Sequence, residues 1–236
     1  AGSPFAFEED IRLIQNLKRL RSIHAKICAL ARPRTADIDK VVESKADRVN
    51  IFVPCSRIQA DAMDLHFIKT ACDTLHAVKY AREKGLEVEI TMMDAARANR
   101  KFLTRFAELL EKNGAHILTL SDTVGSLIPE ETFKMFDDVK KELKESTALS
   151  AHVHNDRGLA TANSLAAIRA GARQAHVTVG GLGERAGNAS LEELAIGAED
   201  IARVRTGIRK HLLTPTVKEI ARLGNFSLWS RQPIVG

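Results

Sequence analysis

The sequence predicts an α/β protein on a parallel sheet, a (β/α)8 TIM barrel lacking its first strands. Three observations carry that expectation. After a first helix, six strand-like runs each precede a helical pattern, at the spacing of βα units. The runs are nearly continuous in apolar residues, as strands covered on both faces require. Polar residues stand at the C-terminal end of nearly every run: Arg32, Ser56, Asp94, Asp122-Thr123, His154-Asn155-Asp156 and Glu184-Arg185. A barrel converges such positions on one mouth, whereas a doubly wound sheet, the competing architecture, uses mainly those at its switch point.

In chain order, residues 7–20 form an amphipathic helix, with Phe7, Ile11, Ile14, Leu17 and Leu20 at helical spacing. Acids lead that helix and Lys18, Arg19 and Arg21 close it, which suits the macrodipole. Residues 23–30 read as a strand closed by Pro33, and Thr35 as the cap of a helix over 36–44. The run 49–53 is the next strand. A long helix over 60–84 stops at Gly85. Strand 86–92, helix Arg100–Lys112 and strand 115–120 follow, then a helix over 129–144 with proline in its first turn. Strand 149–153, helix 159–170, strand 174–179 and helix 190–203 complete the series, with a further helix over 214–223. Residues 1–205 are read as the greater part of the barrel, its strands 3–8, and 206–236 as a helix opening a C-terminal subdomain. The chain begins without Met and ends on Pro-Ile-Val-Gly, and is read as a segment of a longer one.

Composition narrows the function. Hydrophobic residues make up 44% and aromatics only 5%, so the core is aliphatic. No apolar run reaches the ~18 residues a membrane span needs, and no signal-like start is present. Cys28, Cys55 and Cys72 are widely spaced and odd in number, which points to a reducing compartment, the cytoplasm. The net charge of +5 is scattered among acids and not drawn into a basic stripe with aromatics, so neither nucleic acid nor membrane is an expected partner.

Chemistry concentrates in 152–190, HVHNDRGLATANSLAAIRAGARQAHVTVGGLGERAGNAS. In a strand, His152 and His154 share one face while Val153 takes the other, so two imidazoles stand side by side as half of a metal site, or simply line a barrel. Asn155 and Asp156 follow, suited to orient the imidazoles. The other six histidines (His24, His66, His76, His116, His176 and His211) show no such pairing. The loop GGLGERAGN, with Gly180, Gly181, Gly183 and Gly187, allows close backbone approach and runs into a helix start where Asn188 and Ser190 can cap. Its spacing is not that of a dinucleotide fingerprint. Asn188 also offers a carbonyl oxygen that could join the histidines as a hard ligand. SDTVG (121–125) sets a carboxylate and a hydroxyl at another strand end: either a carboxylate-binding group at Thr123, or a turn before Pro129.

Taken together, HVHNDRGLATANSLAAIRAGARQ and GLGERAGNASLEE resemble the 2-isopropylmalate synthase and homocitrate synthase family. That family sits within the wider metal-dependent βα barrels of the hydroxymethylglutaryl-CoA lyases and citramalate synthases. ICALARP, SDTVG and the PIVG ending fit in the same order, so the resemblance spans essentially the whole chain. It implies a divalent ion (Zn, Mn, Mg or Co) held by His152, His154, Asn188 and a first-strand aspartate. It implies an acyltransferase: acetyl-CoA, the co-substrate, condenses with a metal-chelated 2-oxo acid and the thioester is then hydrolysed. Thr123 would hold the 2-oxo acid, joined by Thr91, Arg32 and Ser56. Asp122, Thr123 and Glu184 are the candidate catalytic groups, and Gly181, Gly183 and Gly187 form the acyl-CoA loop. A homodimer is expected.

Departures from the family pattern keep other readings open. Its Arg-Asp-Gly motif is absent. The usual serine-x-glutamate-aspartate reads Thr91-Met92-Met93-Asp94, and Met93 cannot accept a proton. Gln59 stands where a histidine is usual. A metal-dependent carbon–carbon lyase or aldolase of the same fold, or an inactive barrel kept for binding, are the alternatives. Because six strands cannot close an eight-stranded barrel, residues 1–236 alone are expected to be inactive and prone to associate.

Overall fold

The computed structural model describes residues 2–144, 146–227 and 229–236. The chain divides into two compact units, Ala1–Ser121 with Asp138–Leu149, and Asp122–Asp137 with Ser150–Gly236.

The first unit carries α1 (Glu8–Arg19), β1 (Cys28–Ala31), α2 (Thr35–Ser44), β2 (Arg48–Pro54), α3 (Arg57–Ala62), α4 (Phe67–Glu83), β3 (Glu87–Met93), α5 (Arg100–Lys112) and β4 (Ile117–Asp122), whose last residue opens the second unit. Its strands pair in parallel and in sequence order, with Ala29 opposite Val49, Ile51 opposite Ile90, and Ile90 opposite Leu118. Alternation sorts each strand into two faces. Val49, Ile51, Val53, Val88, Ile90, Met92, Leu118 and Leu120 are fully buried. Helices α4 and α5 add Val78, Leu103, Phe106 and Leu110 to this aliphatic core, each such side chain contributing about 1.5–3 kcal/mol.

Apart from Phe52, the residues between them are polar, and several satisfy one another. Arg48 donates to Glu87 and to Glu89, each at 3.0 Å. Thr119 donates to Glu89 at 2.7 Å, and Thr91 to Asn50 at 2.8 Å. Glu89 is only 1% exposed, so its charge depends on these partners.

Several expected boundaries move. The helix expected over 60–84 is two helices, α3 and α4. Asp64 takes a left-handed φ of 53°, Leu65 N–H returns to Ala60 O, and His66 caps α4 by accepting from Lys69 N–H. Thr35 is the first helical residue, with Arg34 at the cap position. The 23–30 run yields strand only from Cys28. The helix α6 (Pro129–Lys140) ends four residues before 144.

The second unit holds β5 from Ser150 on (Ala148–Val153), α7 (Ala160–Arg169), β6 (Gln174–His176), a 3-10 turn (Val179–Gly181), α8 (Leu191–Asp200) and α9 (Leu213–Gly224). Strands β5 and β6 pair in parallel, Ser150 opposite Gln174 and His152 opposite His176. β6 is shorter than the 174–179 expected, because Thr178 leaves the ladder to bridge Ser190. Ser190 caps α8 through Glu193 N–H. Residues 206–236 lie wholly within this unit, α9 burying Leu213, Val217 and Ala221. No described helix is long and apolar enough to cross a membrane.

Candidate active site

The second unit brings together the end of β5, the turn after Asp122 and the glycine-rich loop. Backbone pairing does the positioning. Ala189 N–H donates to Val153 O, Asn155 N–H to Gly187 O, and His154 bridges Asn188 in antiparallel fashion. The loop thus folds back on the strand end that bears the histidines. Two glycines make the fold-back possible. A Cβ at Gly187, where φ is 91°, would lie 2.0 Å from Gly181 O, and one at Gly183 would lie 2.0 Å from Asn188 Nδ2.

The imidazoles of His152 and His154 face one another edge to face, 5.0 Å between centroids, with their Nε2 atoms 3.1 Å apart. Two imidazoles on one ion, at metal–nitrogen distances of about 2.0–2.1 Å, place their nitrogens roughly 3.0–3.4 Å apart. His154 Nδ1 lies 2.7 Å from Thr123 O. A carbonyl only accepts, so this contact calls for the proton on Nδ1 and leaves the Nε2 lone pair aimed at His152. Arg185 Nη2, 2.6 Å from the same Nδ1, can only donate and favours the opposite tautomer.

Among the described residues, no group of three or more His, Cys, Asp and Glu side chains is placed to hold an ion. The donor that could join the pair is an amide. Asn188 Nδ2 donates to Leu182 O at 2.9 Å, while its Oδ1 is buried with no hydrogen-bond partner. An unmet buried acceptor costs about 1–3 kcal/mol, a cost that ligation of a cation would remove. Two imidazole nitrogens and an amide oxygen suit a borderline divalent ion.

The other expected site residues fall as follows. Asp122 is a turn-former: Oδ1 accepts from Ser126 N–H and Oγ, and Oδ2 from Leu127 N–H, all in a site 1% exposed. Thr123 contributes its carbonyl to His154 and to Arg185. Glu184 is well exposed and pairs at 3.3 Å with Arg185. Asn155 accepts from Ala160 N–H at the start of α7. Asp156 reaches His154 through Arg185, whose hydrogen bond holds the Asp156 carboxyl below the usual carboxylate range.

Arg32, Ser56 and Thr91 lie in the first unit, each engaged there. Arg32 forks onto Asp37 and lies over the Phe5 ring. Ser56 caps α3 and donates to Asp94, which is fully buried and also held by Arg97. Met93, beside it, offers its carbonyl to Cys55 N–H.

Two participants escaped the sequence reading. His176, which the spacing does not pair with another histidine, meets His152 edge to face with 5.5 Å between centroids. The signal was there: HVH and QAH in parallel neighbouring strands put a histidine opposite a histidine. Arg185 was seen only as a polar strand-end residue, yet it joins three segments of the site.

Comparison with known proteins gives the family and the fold. The HMGL-like family model matches residues 1–220. A Methanopyrus kandleri protein named "Putative (R)-citramalate synthase CimA" is 38% identical over the whole chain, which covers 46% of that relative. A 2-isopropylmalate synthase of Acidimicrobium ferrooxidans is 36% identical, again over the whole chain and 47% of the relative. The chain therefore spans about half the length of these curated relatives. An HMG-CoA lyase from Acenitobacter baumannii, solved with coenzyme A and 3-methylmalate, superposes with a TM-score of 0.81 at 23% identity, over 94% of this chain and 75% of that one. The HMG-CoA lyase of Pseudomonas aeruginosa gives 0.80 at 20% identity, over 94% and 77%. The fold is that of these βα barrels, of which six parallel strands are present here. By the match of its first 220 residues, the chain belongs to the HMGL-like family.

Proposed function

We propose that this chain carries the metal and acyl-CoA half of an acyltransferase that condenses acetyl-CoA with a 2-oxo acid. The observation that carries the reading is the facing pair of Nε2 atoms, together with a partnerless Oδ1 on Asn188, the residue whose backbone bridges His154. The relatives named as citramalate and isopropylmalate synthases favour the synthase direction. His152, His154 and Asn188 are the proposed ligands, with a carboxylate outside this set completing the charge. When bound, the ion supplies Lewis-acid polarisation of the ketone and offsets the negative charge developing on its oxygen.

The chain's own residues divide the remaining work. Thr123 anchors the 2-oxo acid carboxylate. The backbone of Gly181, Gly183 and Gly187 lies along the thioester, where side chains would obstruct it. Glu184, whose carboxylate is not tied into a turn, takes the methyl proton of acetyl-CoA. The carbanion carbon bonds to the ketone carbon as the C=O π bond opens, the resulting alkoxide takes up a proton to become the 2-hydroxyl, and water then cleaves the thioester to release free CoA and a 2-hydroxy diacid. A carbon–carbon lyase is the second reading, favoured by the lyase identity of the structural neighbours.

The test is CoA release from acetyl-CoA by the whole protein with Mn2+ or Zn2+ over a panel of 2-oxo acids, resolved by chromatography. The synthase reading expects release that depends on one 2-oxo acid and on metal. Release no faster than without the acid, with cleavage of a 3-hydroxy-3-methyl acyl-CoA instead, would move the assignment to the lyase.

A further inference from the structure

Arg185 is an arginine in a left-handed backbone conformation, φ 54°, inside a loop rich in glycine. A side chain resists that conformation, so the residue is retained there against a local preference. Its guanidinium forks onto Asp156, Nε to Oδ1 at 2.6 Å and Nη2 to Oδ2 at 2.8 Å. The same Nη2 donates to Thr123 O at 2.8 Å and lies 2.6 Å from His154 Nδ1. One side chain of the loop thus touches the segment just after β5 and the turn after β4.

We infer that Arg185 is a positioning residue: it latches the glycine-rich loop to the strand end and sets the angle and ring proton of His154. This rests on the proposed reading of the histidine pair as a metal site. An exposed ion pair alone would carry little weight, and Arg185 is 43% exposed. The latch differs because its planar fork fixes direction as well as charge. Lysine could keep the charge but could not serve Asp156 and Thr123 O at once. Removing the fork frees the loop that carries Asn188. It also leaves Thr123 O in place at His154 Nδ1, so the ring loses one of two competing claims on its proton.

The test uses the whole protein with R185K, R185M, D156N and the double variant R185M/D156N, and R222M as an exposed ion-pair control. Two readouts separate positioning from bulk stability: long-range proton–nitrogen spectra of the His154 ring without metal, and calorimetric titration with Mn2+. The inference expects R185M to change the ring-nitrogen shifts of His154. It expects R185M and R185K to weaken Mn2+ binding about 10- to 100-fold, as loss of a ligand's orienting partner does. D156N should weaken it less, the double variant should be no worse than R185M, and R222M should match the wild type. Wild-type ring shifts and wild-type Mn2+ affinity in R185M would overturn the latch. If the wild type takes up no Mn2+, the metal reading fails. The ring spectra then decide the latch alone: altered shifts in R185M support it, unchanged shifts overturn it.

Discussion

The polar face of the first unit and the loop cluster of the second use similar side chains to opposite ends. Around Glu89 the polar groups satisfy one another: Arg48 donates to both Glu87 and Glu89, and Thr119 donates to Glu89. Around His154, a buried amide oxygen has no partner, a non-glycine residue is left-handed, and two ring nitrogens face each other. A saturated network has nothing left to offer a ligand and serves the fold. An unsaturated and strained one holds its unmet groups in readiness, at the expense of local stability.

The comparison breaks most sharply at Arg48. Arg48→Ala leaves Glu89 buried without its cation and should cost about 3–5 kcal/mol, read as a lowered denaturation midpoint. The double variant R48M/E89L, which removes both charges, should recover most of that loss. If the double variant is as unstable as the single, the network does more than satisfy itself.

A smaller effect is expected across the divide. Gly183→Ala forces Asn188 Nδ2 aside and should weaken Mn2+ binding roughly 10-fold, about 1.4 kcal/mol, with little change in midpoint. A large loss of stability with unchanged metal affinity would place this glycine in the scaffold instead.

One contribution to the pH dependence of folding comes from Glu87 in the first unit. Burial pushes the Glu87 carboxyl up, but hydrogen bonds from Arg48 and Lys26 outweigh it and hold the group below its usual 4.5. Its contribution is complete above that value and is lost as pH falls through the lower folded value. The melting temperature should therefore drop between pH 5 and 3, and Glu87→Gln should remove about 2 °C of that drop. An unchanged slope in the variant would contradict the assignment.

The thiols give the mildest contrast. Burial foremost, and then the charge of Glu89, push the Cys28 thiol up to about 12, and burial raises Cys55 further. Cys72 is exposed. Iodoacetamide at pH 8 should modify Cys72 alone in the native protein and all three thiols after denaturation.

What the sequence made legible follows the same division. Regular periodicity placed α5 at its observed bounds and kept the six strands in order, because burial on the aliphatic face leaves a direct imprint on residue type. The break between α3 and α4 left none: a left-handed aspartate and one returning hydrogen bond interrupt an apolar pattern that continues across them. The histidine pair was visible from spacing alone. His176 needed strand register, Arg185 needed the loop's fold-back, and Asp122 as turn-former needed the atoms its carboxylate meets. Local patterns reach side-chain direction along one strand; they do not reach what a returning loop lays against it.

The central claim is that His152, His154 and Asn188 hold one divalent ion between them. Its most direct test is a Mn2+ titration of the whole protein, followed by calorimetry and by the spin resonance of free ion, in wild type, H154A and N188A. The account predicts one ion per chain in the wild type, with binding at least 10-fold weaker in each variant. Wild-type affinity in N188A, or no ion bound by the wild type, would contradict it.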